Sequence, residues 1–501
     1  MGQALVREFG ESGGLLPDKV VGEDLAVPAI NRESLKSLVP AELGAVLRKV
    51  GLLGRCYLVG GCVRDGLLGR EAADVDIEVF GMDYDGLVKA FAAVGRTDLV
   101  GRSFGVVKLT TRSGTTYDFT IPRRDSKVAK GHRGFEVSFD PKISPQEAAM
   151  RRDYTFNALM FDPATGELLD FFGGQQDLRE GILRHTSPAF VEDPLRVLRG
   201  MQFAARFGLR AAPETVTMSR RMKDGFQELA VERVRGEWFK WASEGTVPSA
   251  GLRFLNESGW VDHFPELADL RATPQDPEWH PEGDVWVHTG YCCDALVQLP
   301  GWRKATWESR VVYSLAVLTH DMGKPQTTEK RWQNGRLRVV SPGHESAGRD
   351  VAESFLNRID APKVITRRVL PLVNYHLAHL QASTDRAVRR LARKLEPETI
   401  EGLCLIVTAD HMGRPPKPAL EPETVRALRS RAAALRVEQK APDSILKGRH
   451  LLPLGMQPGP ELGRWIKRAY QAQLDGEFQD LDQALDWFKV QMRKDIAESG
   501  S

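Results

Sequence analysis

Cysteine is scarce: five residues in 501, with no CxxC pair among them. That argues against a disulfide framework and against a zinc module built on cysteine pairs, and it fits a reducing compartment. Long apolar runs are missing too. No stretch approaches the roughly twenty apolar residues that a bilayer-spanning helix needs. The opening segment, MGQALVREFGESGG, carries acids where a secretory leader has a basic and then an apolar stretch, so a cytoplasmic protein is expected. An excess of one charge is also absent, with 69 basic and 67 acidic residues giving a net charge of +2. A grip on nucleic acid must therefore come from local patches rather than from the global field. There is no repeat of fixed period, no low-complexity tract and no nucleophile-elbow pattern that would announce a catalytic serine. The length accommodates about two to four domains.

The stretch from Tyr57 to Phe80, YLVGGCVRDGLLGREAADVDIEVF, is the most informative part of the chain. Tyr57 to Val59 reads as a short buried strand, and Gly60-Gly61 as a turn where backbone amides approach a polyanion without interference from a Cβ. A helix is expected from about Val63 to Leu68, with Arg64 and Asp65 on it. Asp74-Val75-Asp76 then alternates into Val75, Ile77 and Val79, which is strand periodicity, so Asp74 and Asp76 point to one side. A lone DxD is usually a solvated strand edge. Beside a glycine turn, two such carboxylates suit a pair of Mg2+ ions gripping a nucleoside triphosphate, because magnesium takes carboxylate and phosphate oxygens.

GGxVRDxLLG followed by DxD resembles the head of the class II tRNA nucleotidyltransferase and bacterial poly(A) polymerase family, within the DNA polymerase beta-like superfamily. Arg151-Arg152-Asp153-Tyr154-Thr155-Phe156-Asn157-Ala158-Leu159 is similar to its RRDxxxNAL motif, and Glu192-Asp193-Pro194-Leu195-Arg196-Val197-Leu198-Arg199 to its EDPxRxLR motif. The resemblance implies that Asp74 and Asp76 hold metal and that Gly60, Gly61, Arg64, Asp65, Arg152, Asp153, Asn157, Asp193, Arg196 and Arg199 form the nucleotide site. Asp118, in Tyr117-Asp118-Phe119, is the candidate third carboxylate. The implied fold is α+β, a nucleotidyltransferase head on a mixed sheet followed by a mostly helical body.

Asp193-Pro194 opens an apolar-periodic run and also reads as a helix start, so capping is an alternative role for Asp193. Arg196 and Arg199 lie one turn apart on one helix face. An acid and a guanidinium together can read a Watson-Crick edge. Cytosine and adenine both present an amino donor beside a ring-nitrogen acceptor, which a carboxylate and an arginine complement; guanine and uracil do not. Selection of CTP and ATP without a template is what adding CCA to tRNA requires.

A second constellation follows the turn-rich stretch Thr273-Pro274-Gln275-Asp276-Pro277, which reads as a domain linker. His288, His320-Asp321 and Asp410 occur in an order that resembles the HD phosphohydrolase superfamily, with His344 and His376 implied in the same pocket. Imidazole and carboxylate ligands suit a divalent transition metal that activates water. Cys292-Cys293 is expected in a core. Arg386, Arg389, Arg390 and Arg393 recur at helical spacing and form either a rail for tRNA phosphates or a solvated helix face. The basic segment Arg123 to Arg133 is expected as a loop near the primer end.

The expected layout is an extension over 1–39, a head over 40–178, a helical neck with the nucleotide-recognition helix over 179–275, an HD domain over 276–420 and a helical region over 421–501. The reading is a CCA-adding enzyme acting on tRNA, CTP and ATP, with a phosphohydrolase domain and no membrane association. The alternatives are a relative that adds only CC, only A or a poly(A) tail, and a phosphohydrolase whose head merely binds RNA.

Overall fold

The computed structural model describes residues 31–52, 55–71, 74–98, 105–127 and 135–499. The expected extension up to residue 30, and residues 128–134 of the basic segment, lie outside these. The chain forms two compact units that divide between Pro265 and Glu266. The turn-rich stretch at 273–277 lies inside the second unit.

The first unit is built on a seven-stranded sheet of β1 (Cys56–Val59), β2 (Asp76–Val79), β3 (Gly95–Asp98), β4 (Val106–Thr111), β5 (Thr116–Thr120), β8 (Met160–Phe161) and β9 (Leu168–Leu169), in the order β3-β4-β5-β2-β1-β8-β9. The sheet is mixed: β2 and β5 run parallel, and its other pairings are antiparallel. Leu58, Ile77, Val79, Leu109 and Phe119 are buried at or near 0% exposure, as the alternating pattern requires. Between β1 and β2 runs the Gly61–Leu67 helix, slightly earlier than expected. Gly60 caps it at φ 73°, a conformation that favours glycine.

A separate two-stranded sheet pairs β6 (Arg123–Lys127) with β7 (Phe135–Phe139). The first half of the basic segment expected as a loop is therefore strand, ordered by ladder hydrogen bonds. The short pair β10 (Ile182–Leu183) and β11 (Arg210–Ala211) is parallel. Helices Leu195–Phe207, Val231–Glu244 and Pro248–Glu257 then pack on one another. Trp238, Trp241 and Phe254 are nearly fully buried there.

The second unit is helical. Val285–Gln298, Trp307–Thr319 and Ile400–Met412 pack together; Lys363–Asn374 packs on Trp307–Thr319 and on His344–Arg358. A two-stranded sheet, β12 (Glu329–Gln333) and β13 (Arg336–Val340), interrupts the helices. The final region, with helices Pro460–Asp475 and Leu481–Ser499, has its own core around Leu446, Trp465, Phe478 and Phe488. Among the described residues no helix is long and apolar enough to cross a membrane.

Candidate active sites

In the head, parallel pairing sets Asp76 of β2 directly opposite Asp118 of β5. The sequence offered Asp118 as the candidate third carboxylate, and register sets it beside Asp76. Asp74 precedes β2 and lies close enough to raise Asp76. Burial is the largest influence lifting the Asp76 carboxyl above its ordinary value; Arg152 opposes the rise, and Asp118, Asp74 and Glu78 add to it. Mutually repelling carboxylates of this kind suit a bound divalent cation. Lys108 closes one side, its Nζ 2.6 Å from an Asp118 carboxylate oxygen.

Glu78, two residues beyond Asp76, is fully buried. Its Oε1 accepts from Arg151 Nη2 at 3.1 Å and its Oε2 from Arg152 Nη2 at 3.3 Å. This carboxylate holds Arg152 against the glycine turn, where a Cβ on Gly60 would lie 2.9 Å from Arg152 Nη1. Arg152 Nε is buried without a hydrogen-bond partner, a donor suited to an anion at the turn. Glu78 was not singled out in the sequence, although it continues the parity of Asp74 and Asp76 and so carried a signal.

Several residues expected at the nucleotide form a buried network. Arg64, only 4% exposed, donates through Nε and Nη2 to Asp65 and through Nη1 to Asn157 Oδ1 at 2.6 Å. Its guanidinium also lies over the rings of Phe203 and Phe207. Asn157 Nδ2 donates to Asp153 Oδ1, and Arg199 Nε donates to Asp153 Oδ2 at 2.7 Å. Burial works to raise Asp153, but Arg199 and Asn157 outweigh it and hold the carboxyl below its ordinary value. The network ties the Gly61–Leu67 helix, the RRD segment and the Leu195–Phe207 helix into one scaffold.

Asp193 performs the capping role, accepting from Leu195 N at 3.0 Å, while its Oδ2 accepts from Arg233 Nη2 at 2.8 Å. Arg196 donates to the carbonyls of Ala189 and Arg151. Arg233, from the Val231–Glu244 helix, is far from the motif in sequence and carried no local signal.

In the second unit, His288, Asp321 and Asp410 converge with His320. His288 Nε2 is 3.1 Å from Asp410 Oδ1 and 3.6 Å from Asp321 Oδ2. His320 Nε2 is 3.2 Å from Asp321 Oδ2 and 4.0 Å from Asp410 Oδ1. His320 caps the Trp307–Thr319 helix, as the apolar run before it implied. His344 Nε2 lies 3.3 Å from Asp321 Oδ1 and 3.2 Å from His376 Nε2.

Tautomers follow from the backbone. The Nδ1 atoms of His320, His344 and His376 face the carbonyls of Val317, Ser341 and Val373 at 2.7, 2.8 and 2.7 Å. A carbonyl only accepts, so each Nδ1 carries hydrogen; the Nε2 atoms of His320 and His376 then turn lone pairs inward, while His344 Nε2, between the Asp321 carboxylate and His376, carries a hydrogen as well. His320 Nε2 is buried without a hydrogen bond. Lone pairs and carboxylates crowded together around such an orphan form a donor set that fits a divalent cation.

Glu282 orients His288 from behind, its Oε1 2.7 Å from His288 Nδ1 and 2.8 Å from His280 Nδ1. Burial opposes ionisation of Glu282, yet the two histidines hold its pKa down to about 2. Burial takes His280 down to about 4 and His376 down to about 3. For His344, burial is outweighed by the adjacent Asp321, which carries it above the ordinary histidine value. Cys292, expected only as core, is buried and sits with Sγ 3.3 Å from His288 Nε2. Lys324 Nζ pairs with Asp321 at 2.7 Å and Arg414 Nη2 with Asp410 at 2.6 Å. The pocket holds about 260 Å³ and is lined by His280, Asp321, Lys324, His344, His376, Asp410 and Arg414 together with Trp279, Val339 and Ser341.

The arginines read as a rail have partners within the chain. Arg386 and Arg390 pair with Asp475, Arg389 Nε donates to Leu474 O, and Arg393 pairs with Glu396. Arg386, Arg389 and Arg390 dock the Asp385–Leu395 helix against Pro460–Asp475.

A mixed sheet bearing paired carboxylates beside a glycine turn, with a capped arginine helix after it, defines a nucleotidyltransferase head. Residues 56–184 match the poly A polymerase head domain. The multifunctional CCA protein of Xanthomonas campestris pv. campestris (strain B100) is 35% identical over 429 residues, spanning 83% of this chain and 97% of the relative. That of Methylococcus capsulatus is 36% identical over 374 residues, 72% of this chain and 82% of the relative. The chain belongs to the multifunctional CCA protein family.

Two solved structures share the fold. The Thermotoga maritima CCA-adding enzyme complexed with tRNA superposes with a TM-score of 0.59 at 19% identity, covering 92% of this chain and 98% of that one. The Bacillus stearothermophilus CCA-adding enzyme in complex with CTP gives 0.57 at 20% identity, covering 90% and 99%.

Proposed function

We propose that this protein is a template-independent tRNA nucleotidyltransferase that completes the 3′ CCA from CTP and ATP. The observation that carries the reading is the register of Asp76 against Asp118 beside the Gly60-Gly61 turn. Family membership supports the same activity. Asp74, Asp76 and Asp118 would hold Mg2+, which when bound neutralises the triphosphate and acidifies the attacking hydroxyl. The backbone amides at Gly60-Gly61 and the Arg152 guanidinium bind phosphate. The tRNA 3′ oxygen bonds to the α-phosphorus, the hydroxyl gives up its proton, the α–β bridging bond breaks, and pyrophosphate leaves with the electron pair. Arg64, Asp65, Asp153 and Asn157 act beneath the nucleotide, keeping the turn and the Leu195–Phe207 helix in register. Asp193 and Arg196 would read the amino group and ring nitrogen shared by cytosine and adenine, with Arg233 and Arg199 fixing the acid and the helix.

The second pocket is read as a phosphohydrolase. His288, His320, Asp321 and Asp410 would hold a divalent transition metal, which when bound supplies an acidified water. The cationic groups of Lys324 and Arg414, with protonated His344, bind the phosphoryl oxygens, and His376 faces His344 through its Nε2. Water oxygen joins phosphorus, the ester P–O bond breaks, and the leaving oxygen takes the proton.

Pyrophosphate release with purified tRNA lacking CCA tests the first activity. CTP and ATP together should support it and GTP and UTP should not; release with no nucleotide preference would remove the base-reading proposal.

A further inference from the structure

Pairing register sets a charged residue at the same level on four successive strands of the head sheet. Asp76 of β2 faces Asp118 of β5, Asp118 faces Lys108 of β4, and Lys108 faces Asp98 of β3. Opposed residues share a face of a sheet, so the four stand in one row. That face is the open one: Val107, Leu109, Tyr117 and Phe119 are buried, and Lys108 and Asp118 alternate with them. β4 and β5 carry one basic residue between them, Lys108.

Lys108 Nζ lies 2.8 and 2.6 Å from the two Asp118 carboxylate oxygens, and half of the lysine side chain is exposed. An ion pair this open adds little to stability, so holding the fold together does not account for a lone lysine beside the carboxylates. An ammonium has three N–H donors. At most two are spent on Asp118, which leaves one for a ligand.

The row also has a direction. β1 runs antiparallel to β2 with Leu58 opposite Ile77, so the Gly60-Gly61 turn after β1 is level with Asp76. Strand order places β1 on one flank of β2 and β5, then β4, on the other. The turn and Arg152 bind the phosphates on the β1 flank. Phosphoryl transfer sets the attacking oxygen in line with the leaving one. With pyrophosphate departing toward β1, the tRNA 3′ hydroxyl enters from the flank of β5 and β4. A hydroxyl held at Asp76 and Asp118 puts the phosphate of its own nucleotide one sugar further along the row. Lys108 is the residue there, one strand beyond Asp118 and about 10 Å from the Asp76 strand at the usual spacing.

We propose that Lys108 binds the last phosphodiester of the incoming tRNA and so sets the 3′ hydroxyl in line with the α-phosphorus. It touches the acceptor and leaves the nucleoside triphosphate alone. The inference rests on the transferase reading of the head and adds to it the side from which RNA enters and the group that meets it.

The full-length protein, at saturating Mg2+, is given tRNA transcripts lacking CCA whose last internucleotide linkage is either the ordinary phosphodiester or an uncharged methylphosphonate. Single addition of CTP is read as kcat/KM. Loss of one hydrogen bond to a charged group should slow addition by about tenfold or more, so the parent protein should discriminate against the neutral linkage by that factor. Lys108→Ala should be slowed by a similar factor on the ordinary transcript and lose nothing more with the neutral linkage, while Lys108→Arg keeps the discrimination. The melting temperature of Lys108→Ala and its affinity for CTP without tRNA should match the parent's. A parent protein indifferent to the neutral linkage overturns the inference. So does a Lys108→Ala protein that still discriminates, or one whose CTP binding weakens along with addition. A parent protein that adds nothing to the ordinary transcript overturns the transferase reading, and the inference falls with it.

Discussion

Replacing Glu78 with glutamine keeps the side-chain shape and removes its charge. The buried carboxylate accepts one hydrogen bond from Arg151 and one from Arg152. A glutamine offers one accepting oxygen, and its amide NH2 cannot accept, so one guanidinium loses its partner. A hydrogen bond to a charged group is worth about 1.5–3 kcal/mol. If the loss falls on Arg152 and is felt fully in the transition state, addition slows by roughly 10- to 150-fold. The assay is single-nucleotide addition of CTP to tRNA lacking CCA, read as kcat/KM, in Glu78→Gln, Arg152→Ala and the double variant. If Glu78 acts through Arg152, the double variant matches Arg152→Ala. Effects that multiply, or a Glu78→Gln protein with unaltered addition, would refute the reasoning.

Asp76→Asn should abolish addition and stabilise the metal-free protein. A carboxyl whose folded pKa is raised costs stability once ionised; that cost is absent below the unfolded pKa and grows as pH rises through the folded one. At neutral pH the substitution removes it, by on the order of 0.5–2 kcal/mol, visible as a higher Tm in chelator. A Tm that falls would contradict the crowding of Asp76 by Asp118 and Asp74. In the second pocket, His320→Ala or Asp321→Ala should eliminate phosphate-ester hydrolysis while addition stays within about threefold, a change of less than 1 kcal/mol; joint loss of both would mean that the site is structural. Arg390→Ala removes a part-exposed pair with Asp475, so about 1 kcal/mol of stability should go with little change in tRNA affinity. A tenfold weaker tRNA complex would instead return the arginines to the RNA interface.

Much of the head was legible because its chemistry depends on local spacing. The glycine turn, the helix after it and the alternation through Ile77 and Val79 are short-range features, and the structure keeps them within a few residues of where the pattern put them. Asp118 could be offered as the third carboxylate but not located, since its place beside Asp76 comes from the parallel pairing of β2 with β5, two strands further along the chain than β3. Arg64 and Asn157 were expected at the nucleotide, but their bond to each other across 93 residues is a tertiary contact that no local pattern displays. The histidines of the second pocket were recognisable by residue type and order. Lys324 and Arg414 were not, because a cation three or four residues after an acid on a helical stretch looks like a surface pair. Arg386 and Arg390 show the converse: their partner, Asp475, is more than eighty residues away, so the sequence displays the charges without what they pair with in the folded chain.

The account's central claim is tested most directly by product length. The protein is incubated with tRNA transcripts ending before CCA, after C and after CC, with CTP and ATP supplied singly and together, and products are resolved at single-nucleotide steps. Completion to CCA and no further from all three transcripts, lost in Asp76→Ala, is the predicted result. Extension of only one transcript, continued A addition beyond CCA, or unchanged extension by Asp76→Ala would contradict it.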